Sequence, residues 1–120
     1  MSLYQITKNA SHAVDELENS PRPVGGPFIP VRTLYSIQTS ATSEFGELAD
    51  EVRIDQGHSY KEAGVDGVVG EAIDTILCLL DLIHKYDPSI TEGDLDLIAF
   101  VKCEKWINSV VNQKTFSPKF

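Results

Sequence analysis

The sequence has few of the residues that mark an extracellular or a nucleic-acid-binding protein. Its two cysteines, Cys78 and Cys103, stand in apolar segments without metal-ligand spacing. We therefore expect reduced, buried thiols rather than a disulfide framework. Lysine and arginine number only 10 against 18 aspartates and glutamates, and the net charge of −8 repels phosphate backbones. This balance disfavours nucleic acid as a partner.

Long hydrophobic runs are also missing. The run from Ile76 to Leu80, which no other apolar run exceeds, ends at Asp81, far short of the roughly 20 residues that a membrane-spanning helix needs. Residues 1–20 lack the basic segment followed by an apolar segment that is typical of a secretory signal. The sequence predicts a cytoplasmic protein with no membrane partner.

The length and composition predict one domain with its own core, covering residues 1–120. Hydrophobic residues make up 42% and charged residues 23% of the chain, as in ordinary globular proteins. Residues 20–30 hold four of the six prolines and a Gly-Gly pair, which predicts a flexible loop there. We expect a further flexible tail over about 114–120.

Apolar residues recur at helical spacing in four segments, and no stretch shows the alternation of a strand. The segments cover about 3–19, 31–56, 68–86 and 92–112. Asp87 and Pro88 end the third segment, and Ser89 or Thr91 can cap the fourth. This pattern predicts an all-α protein, a four-helix bundle.

The third segment is apolar around well over half of its circumference. Its apolar residues are Ala72, Ile73, Ile76, Leu77, Leu79, Leu80 and Ile83. A bundle of this size has few elements to cover such a helix, so we expect identical subunits to share the covering, most simply as a two-fold dimer. A central helix within a monomer is the alternative.

Two pairs of acids carry the most informative pattern. Glu44 and Glu47 are three residues apart on the second helix, and Glu71 and Asp74 repeat this spacing on the third. If the two helices pack antiparallel, four carboxylates surround one small volume, and their repulsion favours bound protons or a bound dication. Oxygen ligands suit Mg²⁺. The alternative is a solvated acidic face.

These acids carry a resemblance to a known family. The run EFGELADE over 44–51, followed by GEAID over 70–74, resembles the E-x-x-E, spacer, E-x-x-D signature of the MazG-like nucleotide pyrophosphohydrolases, which belong to the all-α NTP pyrophosphatase group. The resemblance implies a helical bundle that forms a homodimer or a dimer of dimers. It also implies Mg²⁺-dependent cleavage of a nucleoside triphosphate between the α and β phosphates, giving the monophosphate and pyrophosphate.

The resemblance also implies roles for particular residues. The Mg²⁺ ligands and catalytic residues would be the four motif acids: Glu44, Glu47, Glu71 and Asp74. Lys102 and Lys105 take the place of basic residues that contact substrate phosphates in the family. Their spacing puts both ammonium groups on one side of the fourth helix, where a solvated basic face is the alternative.

Three aromatic residues could stack on a nucleobase: Tyr35, Phe28 and Trp106. We assign all three to the core, because aromatic residues of small helical proteins usually lie there.

The alternative to an enzyme is a non-catalytic helical binding or regulatory protein with a vestigial acidic metal site.

Overall fold

Four α-helices make up most of the residues that the structure describes. The computed structural model describes residues 1–18 and 32–115. Its helices are α1 (Leu3–Glu18), α2 (Leu34–Asp55), α3 (Gly67–Tyr86) and α4 (Glu92–Thr115). No strand occurs within these two ranges, so the all-α prediction is confirmed. The predicted loop at 20–30 and most of the predicted tail lie outside the described residues.

Reciprocal hydrogen bonds between side chain and backbone begin α2 and α4. The Thr33 hydroxyl accepts from the backbone N–H of Ser36 at 3.1 Å, and the Ser36 hydroxyl accepts from the N–H of Thr33 at 2.9 Å. Thr91 and Asp94 make the same exchange at the start of α4. Such capping boxes satisfy amides that lack a partner inside the helix. Of the two caps that the sequence offers for α4, Ser89 and Thr91, the structure shows Thr91 in this exchange.

The chain divides into two compact units, Met1–Pro88 and Ser89–Phe120. In the first unit, α3 packs against both α2 and α1. The contacts at the two ends of the α2–α3 pair show that these helices run antiparallel. Arg32, just before α2, pairs with Asp81 late in α3, whereas Glu51, late in α2, bonds to Gly64 just before α3. The second unit contains α4.

Few apolar side chains are buried within residues 1–18 and 32–115. The buried apolar residues of these two ranges are Tyr4, Ile37 and Ala41. The other apolar side chains along α3 are half-buried, apart from four exposed ones: Val69, Ile76, Leu79 and Tyr86. No helix within the described ranges combines the length and the apolar character needed to cross a bilayer. Within the described residues of the first unit, packing therefore leaves the broad apolar face of α3 incompletely covered.

Several side chains assigned to the core from sequence lie at the surface. Tyr35 is 78% and Trp106 71% exposed, so their assignment to the core is wrong. Phe28 lies outside the described residues. Both cysteines are free thiols, as expected, but Cys103 is exposed and Cys78 is half-buried. Helical spacing marks a side of a helix, and whether another element covers that side depends on the packing.

A network of charged side chains joins α1 to α3. The Arg32 guanidinium donates to Asp15 Oδ1 at 2.7 Å, to the Ser11 carbonyl at 3.0 Å and to Asp81 Oδ2. Lys85 Nζ donates to the other oxygen of Asp15 at 2.6 Å. Burial raises the pKa of Asp15, but the Lys85 hydrogen bond and the charges of Arg32 and Lys85 outweigh it and hold that pKa below its ordinary value. The ionised form of Asp15 is thus the stabilising one.

We expect Asp15→Asn to lower the free energy of unfolding by about 1.5–3 kcal/mol at pH 7, because two cations lose a charged acceptor. The pKa of Asp15 is depressed on folding, so its contribution is complete above the ordinary value of 3.8 and is lost as the pH falls through the depressed value. The difference between wild type and Asp15→Asn should therefore shrink between pH 5 and pH 2 in urea denaturation followed by circular dichroism. Glu18→Gln, at an exposed acid of the same helix, is the control, and an equal loss there would contradict the assignment.

Candidate metal centre

Three carboxylates meet where α2 faces α3. One oxygen each from Glu44, Glu47 and Glu71 lie within 4.8 Å of one another. Two of these acids come from successive turns of α2, and the third comes from the second turn of α3. The antiparallel pairing of the helices therefore brings Glu71, from the second acid pair of the sequence, to both acids of the first pair, whereas Asp74 does not belong to this group.

A second group of three carboxylates overlaps the first. Oxygens of Asp66, Glu71 and Asp74 also lie within 4.8 Å of one another, so Glu71 belongs to both groups. Asp66 is absent from the set predicted from sequence, because it lies in the connection before α3 and outside the E-x-x-D spacing. The one sequence signal for Asp66 is that an aspartate directly before Gly67 stands where α3 begins.

Two glycines allow Asp66 to lie over the first turn of α3. Gly67 has a φ of +64°, a conformation that favours glycine. A Cβ on Gly70 would lie 2.4 Å from the Cβ of Asp66, so only glycine leaves room for the aspartate there. The Asp66 side chain makes no capping hydrogen bond to α3. Its carboxylate is close to two other acids instead of serving as an N-cap acceptor.

The electrostatics of the centre favour a bound cation. Glu44 Oε2 and Glu71 Oε2 are buried and have no hydrogen-bond partner among residues 1–18 and 32–115. Burial and the charge of Glu47 raise the pKa of Glu44, and burial with the charges of Glu47 and Asp74 raises the pKa of Glu71. Unpartnered buried oxygens that repel one another are stabilised either by protons or by a cation. An all-oxygen set of this kind fits a hard divalent ion such as Mg²⁺.

Cys78 lies one turn beyond Asp74 but belongs to neither carboxylate group. Burial raises the pKa of its thiol, and the negative charges of Glu44 and Asp81 raise it further. The potential ligand atoms of both groups are therefore oxygens.

The two lysines assigned to phosphate binding lie on α4. Lys102 and Lys105 are both exposed and one turn apart on this helix, as their spacing predicts. Their role in binding phosphate stays a prediction. Arg53 lies two residues after the EFGELADE run. It is exposed, and its guanidinium pairs with Asp50 Oδ1 at 3.3 Å.

The chain was compared with known families, proteins and structures. No protein-family model, curated protein or solved structure matches this chain. The resemblance to MazG-like enzymes therefore rests on the motif acids in the sequence, and the structure adds the two overlapping groups of carboxylates that could hold a metal ion.

Glu71→Gln should stabilise the metal-free protein at neutral pH and abolish its response to Mg²⁺. A raised carboxyl pKa means that ionisation costs folding stability as the pH rises above the ordinary value of 4.5. The stability difference in favour of the variant should therefore grow from pH 4 to pH 7. In thermal melts, Mg²⁺ at about 100 times its dissociation constant should stabilise wild type by about 2.7 kcal/mol and leave the variant unchanged.

Glu62→Gln serves as the matched control, because Glu62 is an exposed acid of the connection between α2 and α3. It should respond to Mg²⁺ as wild type does. A normal response to Mg²⁺ in Glu71→Gln would show that the ion binds elsewhere.

Proposed function

We propose that this protein is an Mg²⁺-dependent nucleoside triphosphate pyrophosphohydrolase. It would convert an NTP or dNTP to the monophosphate and pyrophosphate and so regulate a nucleotide pool. The observation that carries the proposal is the pair of overlapping carboxylate groups that share Glu71, with two buried oxygens that have no partner within the described chain. The motif resemblance supplies the substrate class.

The motif acids would act together in this proposal. Glu44, Glu47, Glu71 and Asp74 would hold the ion. Mg²⁺, when bound, would neutralise phosphate charge and lower the pKa of an attacking water. One of the four carboxylates would accept the proton that this water loses.

The charge of the whole chain also supports a role for cations in substrate binding. With a net charge of −8, the protein repels a triphosphate unless the ion or basic side chains offset the repulsion. Lys102 and Lys105 are the proposed phosphate contacts. We further propose assembly into a homodimer or a dimer of dimers in the cytoplasm, supported by the incompletely covered apolar face of α3.

A panel of common NTPs and dNTPs tests the proposed activity. With Mg²⁺, wild type should release monophosphate and pyrophosphate from at least one nucleotide. Glu47→Gln and Asp74→Asn should each lower kcat by about 10²-fold or more, as expected for the loss of a charged group that acts on the reacting atoms. Their helical circular dichroism should not change.

Glu62→Gln is again the control and should keep full turnover. Failure of every nucleotide to react, with Mg²⁺ stabilisation retained, would favour the non-catalytic binding protein instead. Full turnover by either motif variant would show that the catalytic acids are misassigned.

The proposed phosphate contacts can be tested separately from the metal centre. Lys102→Met with Lys105→Met should raise KM by about tenfold for each charge-assisted hydrogen bond lost, while Mg²⁺ stabilisation without nucleotide stays at the wild-type level. Steady-state kinetics gives the first quantity, and thermal melting gives the second. Lys114→Met, at an exposed lysine near the end of the same helix, should leave KM unchanged. An unchanged KM in the double variant would assign both lysines to a solvated face.

A further inference from the structure

Glu51 lies on the acid-bearing side of α2, one turn beyond Glu47, but it takes no part in the two carboxylate groups. Its side chain is buried, and Oε1 accepts a hydrogen bond from the backbone N–H of Gly64 at 2.8 Å. Gly64 belongs to the connection between α2 and α3. We call this bond the Glu51–Gly64 tether. It joins the last turns of α2 to the segment that leads into α3.

The tether brings a carboxylate oxygen close to the backbone at position 64. A Cβ there would lie 2.7 Å from Glu51 Oε1 and 3.6 Å from its carboxyl carbon. The first distance is shorter than real Cβ contacts, so a side chain at position 64 would displace the end of the Glu51 side chain. Gly64 therefore leaves room for this hydrogen bond.

The tether holds the chain two residues before Asp66. The carboxylate of Asp66 lies with those of Glu71 and Asp74 and makes no capping hydrogen bond. On its C-terminal side, the Asp66 carbonyl accepts from the Gly70 N–H at 3.1 Å, which ties its backbone to the first turn of α3. On its N-terminal side, the tether at Gly64 fixes the chain that leads into it. Glu71, which Asp66 approaches, carries a buried oxygen without a partner.

We propose that Glu51 is a positioning residue for the metal centre. By fixing Gly64, it holds Asp66 in place as an additional ligand, outside the E-x-x-E and E-x-x-D motif. This inference rests on the proposed metal-dependent function. The tether needs an oxygen acceptor at position 51, not a negative charge, whereas a direct ligand of Mg²⁺ needs the charged carboxylate. That difference separates the two roles.

Mn²⁺ binding to the full chain, measured by electron paramagnetic resonance of the free ion, tests the proposal. Glu51→Gln keeps an amide oxygen for the Gly64 N–H and should bind Mn²⁺ within about twofold of wild type. Glu51→Met fills a similar volume without an acceptor and should weaken binding by about 10- to 100-fold, the usual effect of losing an outer-shell partner. Asp66→Asn should weaken binding by a similar factor.

Coupling between the two residues is the decisive measurement. If Glu51 acts through Asp66, the double variant Glu51→Met with Asp66→Asn should bind Mn²⁺ no more weakly than Asp66→Asn alone. Multiplicative losses would overturn the proposal, because they would show that Glu51 acts independently of Asp66. Equal losses from Glu51→Gln and Glu51→Met would also overturn it, since they would make Glu51 a charged ligand. Glu62→Gln is the control and should bind normally.

Hydrogen exchange at the Gly64 amide distinguishes failure of the tether from failure of the metal centre. The amide should exchange slowly in wild type and in Glu51→Gln, and fast in Glu51→Met. A helical circular dichroism signal equal to that of wild type shows that Glu51→Met is folded. Fast exchange in wild type would overturn the tether itself. Slow exchange in a wild type that binds no Mn²⁺ would overturn the metal centre, and with it the positioning role, while leaving the hydrogen bond in place.

Discussion

Repulsion among carboxylates at the α2–α3 interface is the constraint on which the rest of the first unit depends. Glu44, Glu47 and Glu71 bring like charges within a few ångströms, and two of their oxygens are buried without a partner in the part of the chain that the structure describes. Such an arrangement raises carboxyl pKa values and opposes the packing of the two helices. A divalent ion reverses the sign of this interaction, so the same residues that destabilise the metal-free interface would stabilise the loaded one.

Two polar contacts at opposite ends of the helix pair oppose this repulsion. At one end Arg32 bonds to Asp81 and also to Asp15 of α1, and at the other Glu51 bonds to Gly64. Each contact is partly or fully buried, where a hydrogen bond to a charged group contributes most. The acid centre lies between these contacts, so the helices are held in register on both sides of it.

The small apolar core gives these polar contacts unusual weight. With few large side chains buried in the described chain, hydrophobic burial within one subunit contributes less than in most domains of this size. The partly covered face of α3 is consistent with the proposed assembly of identical subunits, which would bury more of it. Ionic contacts and assembly together would then supply the stabilisation that a larger apolar core supplies in other proteins.

The features that the sequence predicted are local ones, and the features that it missed depend on tertiary packing. Helical spacing and caps predicted the four helices, because the 3.6-residue period and the amide partners at a helix start are properties of nearby residues. The pairing of Glu44 and Glu47 with Glu71 was also predictable, since each acid pair already shares a helix face and an antiparallel turn brings the faces together. The core assignment of Tyr35 and Trp106 failed because exposure depends on which elements cover a face.

The sequence by itself determined the four helices, the capping boxes that begin α2 and α4, and the acids that share a face, since these depend on residues within a turn or two. The tertiary structure alone decided that Asp66 joins the centre, that Glu51 turns to Gly64 and that Arg32 bridges α1 and α3. Those contacts join residues 8, 13, 17 and 49 positions apart or depend on a glycine backbone that leaves room for them. Such distances and clearances follow from the path of the folded chain and not from local spacing.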